Sequence, residues 1–85
     1  MNLCIVSEYK CTFDDFKNLV DSTIEETKDF ITEWELVKIN NHKSIMMVNC
    51  TDMAALEAMM TSNEMKAWDV RNGCVDTLYT MEKIS

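Results

Sequence analysis

Residues 33–50 decide the fold, and they read EWELVKINNHKSIMMVNC. The first part, residues 33–39, alternates with a period of two, which is typical of a strand. Residues 40–43 supply turn chemistry, and residues 44–50 form a second apolar run of strand type. Two such runs joined by a short polar turn predict a β-hairpin.

A strand and a long helix are predicted before the hairpin. Residues 3–10 open with an apolar run and continue as an alternating pattern, which predicts a strand. Thr12, with Asp15 three positions further on, is a near-match to the capping box that begins helices. Apolar residues then recur every three or four positions as far as Ile31. This spacing predicts an amphipathic helix of about 18 residues.

A shorter helix and a last strand are predicted after the hairpin. Residues 51–52 offer a helix cap, and several methionines with Leu56 supply a short apolar stripe. The polar residues 61–63 interrupt the stripe, and we expect only a further turn or two of helix before Gly73 ends it. The β-branched and aromatic residues of the segment 74–82 predict a strand.

The predicted order of elements is therefore β-α-β-β-α-β. Two helices can cover one face of a four-stranded antiparallel sheet, which is the ferredoxin-like arrangement of the α+β class. No linker, internal repeat or low-complexity tract interrupts the 85 residues. We expect residues 1–85 to form a single ferredoxin-like domain.

The charge and hydropathy patterns exclude several kinds of partner. Fifteen acidic residues oppose eight basic ones, giving a net charge of −7, and the basic residues are scattered singly. Neither nucleic acid nor an anionic membrane surface is an expected partner of such a chain. The longest apolar runs are about four residues, against the roughly 20 that cross a bilayer. Because the first residues also lack the features of a signal peptide, we expect a cytoplasmic protein.

The four cysteines, at positions 4, 11, 50 and 74, include no CxxC pair and no neighbour at metal-chelating spacing. We therefore expect reduced cysteines, no bound metal and no cofactor. A domain of this size buries only roughly 60% of its unfolded surface, and it often depends on a disulfide, a metal or a partner. A partner subunit is the remaining source of stability.

Both faces of the predicted sheet are apolar. Alternation places a compact set under the helices, namely Cys4, Val6, Val37, Ile39, Met46, Val48, Cys50 and Leu78. The opposite set is larger and more aromatic: Leu3, Ile5, Ser7, Tyr9, Trp34, Leu36, Ile45, Met47, Asn49, Val75, Thr77, Tyr79 and Met81. Such a face would exceed the few hundred Å² of apolar patch that a monomer exposes. We expect a second copy of the chain to cover it, which makes the protein a homodimer paired through this sheet face.

Three features of the chain point to a known family. They are the order of the elements, the segment SNEMKAW at residues 62–68, and the closing strand TLYTME at residues 77–82. In these features the chain resembles the dimeric α/β-barrel superfamily, and within it the small single-domain bacterial and cyanobacterial proteins of unknown function. The resemblance implies two ferredoxin-like sheets packed face to face around a cavity.

The space between the two sheets is the expected ligand site. The side chains predicted to project into it are Ser7, Tyr9, Trp34, Met47, Asn49, Thr77 and Tyr79. Polar groups in a mostly apolar pocket orient a ligand, and they serve equally well as hydrogen-bonding groups of a dimer interface.

Three functions remain open at this point. The first is binding of a small apolar or aromatic molecule. The second is a cofactor-independent monooxygenase or isomerase, in which Tyr9, Asn49 or Tyr79 would polarise an aromatic substrate. The third is a purely structural or regulatory dimer whose interface is filled by its own side chains.

Two further groups of residues are expected at the surface. Some relatives in the superfamily degrade haem with an asparagine, a tryptophan and a haem-ligating histidine. Asn49 and Trp68 are present here, but the one histidine, His42, lies in the predicted hairpin turn, so a haem ligand is not expected. The acidic residues of the first helix fall on its solvent side, and they are Asp14, Asp15, Asp21, Glu25 and Glu26.

Overall fold

The computed structural model describes residues 1–85 and contains four strands and three helices. In chain order they are β1 (Leu3–Glu8), α1 (Phe13–Thr27), β2 (Ile31–Asn40), β3 (Lys43–Cys50), α2 (Met53–Met60), α3 (Asn63–Asn72) and β4 (Val75–Thr80). The strands form one antiparallel sheet in the order β2-β3-β1-β4. This is the ferredoxin-like arrangement, and the predicted fold class is confirmed.

The first helix begins where the sequence predicts. The Thr12 hydroxyl accepts a hydrogen bond from the backbone N–H of Asp15 at 3.2 Å, and the Asp15 carboxylate accepts one from the N–H of Thr12 at 3.3 Å. These two bonds complete the capping box. The helix ends at Thr27 after 15 residues and is shorter than predicted, because Ile31 begins β2 opposite Cys50. An apolar residue at that spacing fits a helix and a strand equally well.

Two helices follow the hairpin where the sequence predicts one helix and a further turn or two. Asp52 caps α2 by accepting the N–H of Ala55 at 3.0 Å, and Ser62 caps α3 by accepting the N–H of Met65 at 3.4 Å. The second cap starts a new helix of 10 residues. None of the three helices has the length and apolar character needed to cross a membrane.

The third helix ends at Gly73, as predicted. Gly73 has φ 60° and ψ 36°, a left-handed conformation that glycine adopts without steric cost. A Cβ atom at this position would also lie 2.9 Å from Cγ of Lys10, whose side chain packs over the turn. The turn leads the chain from α3 directly into β4.

The strand register shows which side of the sheet the helices cover. Directly opposed residues of an antiparallel pair share a face. Val48 and Ser44 of β3 are buried, and they stand opposite Leu3 and Ser7 of β1, which are buried as well. Because Ser7 and Val48 line the same space as residues of α1, this is the helix side of the sheet.

The predicted faces of β3 and β4 are right, but those of β1 and β2 are wrong. Leu3, Ile5 and Ser7 of β1 lie on the helix side, where Cys4 and Val6 are predicted, and Tyr9, just after the strand, is buried against Phe16 of α1. In β2, Trp34 and Leu36 stand opposite Val48 and Met46 on the helix side, whereas Val37 stands opposite Ile45 on the other side. Both sets of alternate residues in these two strands are apolar, so alternation alone does not say which set the helices cover.

The opposite side of the sheet, named the open face here, carries no helix. The register places on it Cys4, Val6, Glu8, Glu33, Glu35, Val37, Lys43, Ile45, Met47, Asn49, Val75, Thr77 and Tyr79. Ile39 follows Val37 by two positions, at the irregularity near the end of β2. The core on the helix side is small, because only 12 of the 85 residues are buried. So limited a core is consistent with the expectation that a partner contributes to stability.

Candidate functional site

An apolar cavity lies between the helices and the sheet. It is lined mainly by Leu19, Val20 and Ile24 of α1, by Leu56, Met59 and Met60 of α2, and by Ile5, Met46 and Val48 of the sheet. This space, named the inner cavity, has a volume of about 80 Å³. Thirteen of its 18 lining residues are hydrophobic, so the cavity favours an apolar group over water.

Four polar side chains close one end of the inner cavity. The Ser7 hydroxyl donates a hydrogen bond to Oδ1 of Asp76 at 2.6 Å, and the Cys74 thiol donates to the same oxygen at 3.6 Å. Asp69 completes the group, because its carboxylate, the Cys74 Sγ and the Asp76 carboxylate lie within 4.8 Å of one another. These four residues are named the polar end.

The fold assembles the polar end from two strands and the end of a helix. Ser7 and Asp76 stand directly opposite each other in the β1–β4 pair. Asp69 lies in the last turn of α3, where its backbone carbonyl accepts the N–H of Cys74 at 2.9 Å. The tight turn at Gly73 therefore brings the Asp69 carboxyl next to that of Asp76.

Burial changes the acidity of two groups at the polar end. Desolvation, together with the nearby charge of Asp76, raises the pKa of Asp69 above the ordinary value for an aspartate. Desolvation and then the two carboxylates raise the pKa of Cys74 far above that of a free thiol. Cys74 is therefore a neutral hydrogen-bond donor at physiological pH, and it lacks the thiolate that a nucleophile needs.

Two more buried hydroxyl groups lie next to the polar end. Ser44 stands opposite Ser7 and is 0% exposed, and Tyr9 is 4% exposed with its ring stacked on Phe16 at a centroid distance of 4.6 Å. Burial raises the pKa of Tyr9, and the adjacent Ser44 hydroxyl opposes this effect. The geometry between the two oxygens is nevertheless not that of a hydrogen bond, and neither oxygen has another partner. Buried hydroxyls without partners are uncommon in native proteins.

A second, more open space adjoins the inner cavity beside α2 and β4. Its volume is about 430 Å³, and its lining includes Glu57, Thr61 and Leu78. This outer depression shares Leu56, Met60, Asp69 and Asp76 with the inner cavity. Those four side chains form the wall between the two spaces, so a ligand would enter past them.

The chemistry of the lining favours an organic molecule over a metal ion. Asp69, Cys74 and Asp76 are the residues close enough together to hold a cation. A metal ion would have to displace the proton that Cys74 holds tightly, since only a thiolate is a good metal ligand. The rest of the cavity offers methionine, leucine, isoleucine and valine surface, which suits an apolar molecule.

The predicted site residues fall on both sides of the sheet. Met47, Asn49, Thr77 and Tyr79 lie on the open face, as expected. Ser7, Tyr9 and Trp34 lie on the helix side, so they do not project into a space between two sheets. Of the seven residues, only Ser7 lines the inner cavity.

Asp69, Cys74 and Asp76 are site residues that the sequence patterns do not predict. The sequence does contain one signal for Asp76. It lies two positions before Leu78 in β4, so the two side chains point to the same, covered side of the sheet. A charged residue on a covered face is more informative than an exposed apolar one. No comparable signal marks Asp69, because α3 was not predicted as a full helix.

The surface residues behave as predicted. His42 is an exposed turn residue whose Nδ1 lies 2.9 Å from the backbone oxygen of Cys11. The five carboxylates of α1 that were assigned to its solvent side are all exposed. All four cysteines are free thiols.

The open face carries large apolar side chains that remain exposed in the single chain. Val37 is 42% exposed, Ile39 49%, Tyr79 55% and Val75 65%. The face also carries the carboxylates of Glu33 and Glu35, opposite Asn49 and Met47. Its apolar character therefore survives the correction of the strand faces.

No protein-family model and no curated protein matches the chain. Solved structures do match it along nearly its whole length. SnoaB, a cofactor-independent oxygenase from Streptomyces nogalater, superimposes with a TM-score of 0.65 at 11% identity, over 96% of this chain and 92% of that one. Rv0793 from Mycobacterium tuberculosis superimposes with a TM-score of 0.59 at 12% identity, over 100% of both chains. An antibiotic biosynthesis monooxygenase also superimposes with a TM-score of 0.59, at 13% identity and over 100% of both chains.

The shared property is the fold. At identities this low, the similarity establishes the ferredoxin-like architecture of the chain and leaves its activity open. This architecture is the one predicted from the order of strands and helices in the sequence.

Proposed function

We propose that the protein binds a small apolar or aromatic molecule in the inner cavity of each protomer of a homodimer. The observation that carries this is a cavity with apolar walls and a single polar end. Apolar walls with a few convergent polar groups are typical of ligand sites, since the walls supply affinity and the polar groups fix orientation. The ligand class is the one expected from the sequence, but its place is under the helices instead of between two sheets.

The dimensions of the site limit the ligand. The inner cavity, at about 80 Å³, holds no more than a small group, whereas the outer depression adds a space of about 430 Å³. Met60 is part of the wall between them, and methionine side chains adapt readily to a bound molecule. We expect a ligand of one or two rings that lies across this wall.

A second copy of the chain is the proposed cover for the open face. The exposed apolar side chains there line one continuous surface of the sheet, which in water would favour association. A copy of the same sheet is complementary in shape and in apolar character. Pairing of this kind leaves the outer depression accessible, because it opens beside α2 on the other side of the sheet.

Filling the cavity tests the ligand-binding proposal. Val20 is buried in the cavity wall, whereas Val70 of α3 is 85% exposed. Val20→Phe should occupy the inner cavity, and Val70→Phe makes the same chemical change outside it. Thermal unfolding is then followed with toluene, indole and benzyl alcohol. A ligand at 100 times its Kd should stabilise the wild type by about 2.7 kcal/mol.

We expect Val20→Phe to lose this stabilisation and Val70→Phe to keep it. If Val20→Phe does not fold, Ile24→Phe fills the same space from a half-buried position. Equal stabilisation of the filled and control variants would show that the ligands bind elsewhere. Absence of stabilisation by any aromatic compound would exclude the proposed function.

A cofactor-independent oxygenase is the second candidate. The similarity to SnoaB favours it, together with a carboxyl pair placed in an apolar cavity. Asp69 or Asp76 could accept a proton from a ring methylene of a polycyclic phenol, and the resulting carbanion, delocalised over the rings, would react with dioxygen at that carbon. One oxygen atom would replace the two methylene hydrogens as a carbonyl, and the other would leave with them as water.

Oxygen consumption in the presence of a polycyclic phenol tests the second candidate. Protein-dependent uptake that disappears in Asp69→Asn and Asp76→Asn would support it. Uptake no faster than without protein would reject catalysis of this type, while the ligand-binding proposal would be judged by the thermal measurements.

A further inference from the structure

We propose that the polar end of the inner cavity binds the ammonium group of a small apolar amine, with Asp69 and Asp76 supplying the opposite charge. This inference rests on the proposed ligand-binding function and specifies the chemistry of the ligand.

The first reason is that the carboxyl pair has no cationic partner. The ion pairs of the structure join Lys17 to Asp21, Lys28 to Glu25, and Lys43 to Glu8. No basic residue lines either the inner cavity or the outer depression. Two adjacent half-buried carboxyl groups without a counter-ion repel each other, and a bound cation would relieve this.

The second reason is the direction of the local field. Asp69 lies in the last turn of α3, where the helix dipole adds negative potential. Glu57 lines the outer depression that leads inward, so the entry path is acidic as well. Both features attract a cation and repel an anion.

The third reason is the presence of unused hydrogen-bonding groups. The hydroxyl oxygens of Tyr9 and Ser44 are buried and have no partner. Ser44 stands directly opposite Ser7 in the β1–β3 pair, on the same side of the sheet as the polar end. An ammonium group has three N–H donors. The polar end offers carboxylate oxygens as acceptors, and no cationic side chain donates to them.

The apolar walls favour an organic amine over an inorganic cation. A metal ion requires most of its coordination sphere to be polar, whereas only three metal-ligating side chains come together here. An amine needs polar contacts only at its head, and its hydrocarbon body would contact Ile24, Met59 and Met60. A small arylalkylamine has this combination of properties.

Three probes that share one ring and differ in their head group test the inference. Benzylamine, benzyl alcohol and benzoate are titrated by calorimetry into the wild-type protein. Hydrogen bonds to charged groups contribute more than neutral ones, so benzylamine should bind at least about tenfold more tightly than benzyl alcohol. Benzoate should bind most weakly, because the site repels its charge.

The same titrations with Asp69→Asn and Asp76→Asn assign the effect to the carboxyl pair. Each variant should bind benzylamine about tenfold more weakly than the wild type does, and its affinity for benzyl alcohol should change by less than about twofold. Asp14→Asn is the matched control, because Asp14 is exposed on α1, and it should leave all three affinities unchanged. The wild-type comparison decides the question even if a variant does not fold.

The other outcomes separate the two proposals. Equal binding of benzylamine and benzyl alcohol would overturn the amine inference and leave the ligand-binding proposal standing. No binding by any probe would overturn both. If Zn²⁺ or Mg²⁺ displaces benzylamine when the metal ion is less concentrated than the amine, the site is a metal site and the inference is overturned.

Discussion

Asp69 is a carboxylic acid at the polar end whose pKa is raised by its surroundings in the folded chain. Because its pKa is raised in the folded protein, the folded state holds the proton more tightly than the unfolded state. The resulting stabilisation is fully present below the ordinary pKa of an aspartate, about 3.9, and it is lost as the pH rises through the raised value. Ionisation of Asp69 therefore lowers the free energy of unfolding of the unliganded protein as the pH rises towards neutral.

Asp69→Asn should remove this loss. We expect the stability of the variant relative to the wild type to increase between about pH 4 and about pH 7, since an amide does not ionise. Urea unfolding midpoints measured across this range give the comparison. Asp14→Asn, at an exposed site, should follow the wild type, and an identical pH dependence for Asp69→Asn and the wild type would contradict the assigned environment.

Single residues were predictable from sequence where their role is local. The Thr12 capping box and the left-handed Gly73 depend on a few adjacent positions, and both are confirmed. The contact between Ser7 and Asp76 depends on the pairing of β1 with β4, which connects distant parts of the chain. No local pattern encodes it, so the polar end was not predicted.

At the scale of elements, the order of strands and helices follows from periodicity, but the covered face of β1 and β2 does not. Hydrophobic alternation identifies a face only when the two sides differ in polarity. In β1, Leu3 and Ile5 on one side and Cys4 and Val6 on the other are all apolar. The larger residues lie under the helices, where longer side chains bridge the gap between the two layers.

The corrected open face makes a specific prediction for β2. Val37→Glu would add a second charge beside Glu35 on the edge strand β2 of the proposed dimer interface, which should weaken association by at least about tenfold. Val70→Glu makes the same change on the exposed surface of α3 and should not affect association. Size-exclusion chromatography with light scattering should give about twice 9.9 kDa for the wild type and Val70→Glu.

A wild-type mass of a single chain at micromolar concentration would show that the open face is not a dimer interface. If Val37→Glu dimerises as tightly as the wild type, the interface lies on another surface. Circular dichroism of each variant distinguishes loss of association from loss of folding.

At the scale of the whole molecule, the two sides of the sheet have separate roles in this account. The helix side holds a cavity with a polar end, and the open face is the proposed surface for a second copy. The sequence predicted an apolar ligand site and an apolar dimer surface but placed both on the same face. The separation depends on a space left between α1, α2 and the sheet, and such a space follows from packing in three dimensions.

The methionines can test directly whether a ligand occupies the helix side of the sheet. Met46, Met59, Met60 and Met65 line the inner cavity, whereas Met47 lies on the open face. Methyl-labelled methionine gives each of them its own NMR signal during titration with benzylamine or indole. We predict shifts at the four cavity methionines with Met47 unchanged. Shifts at Met47 with the cavity methionines unchanged would place the ligand between the sheets and rule out the inner cavity as the binding site.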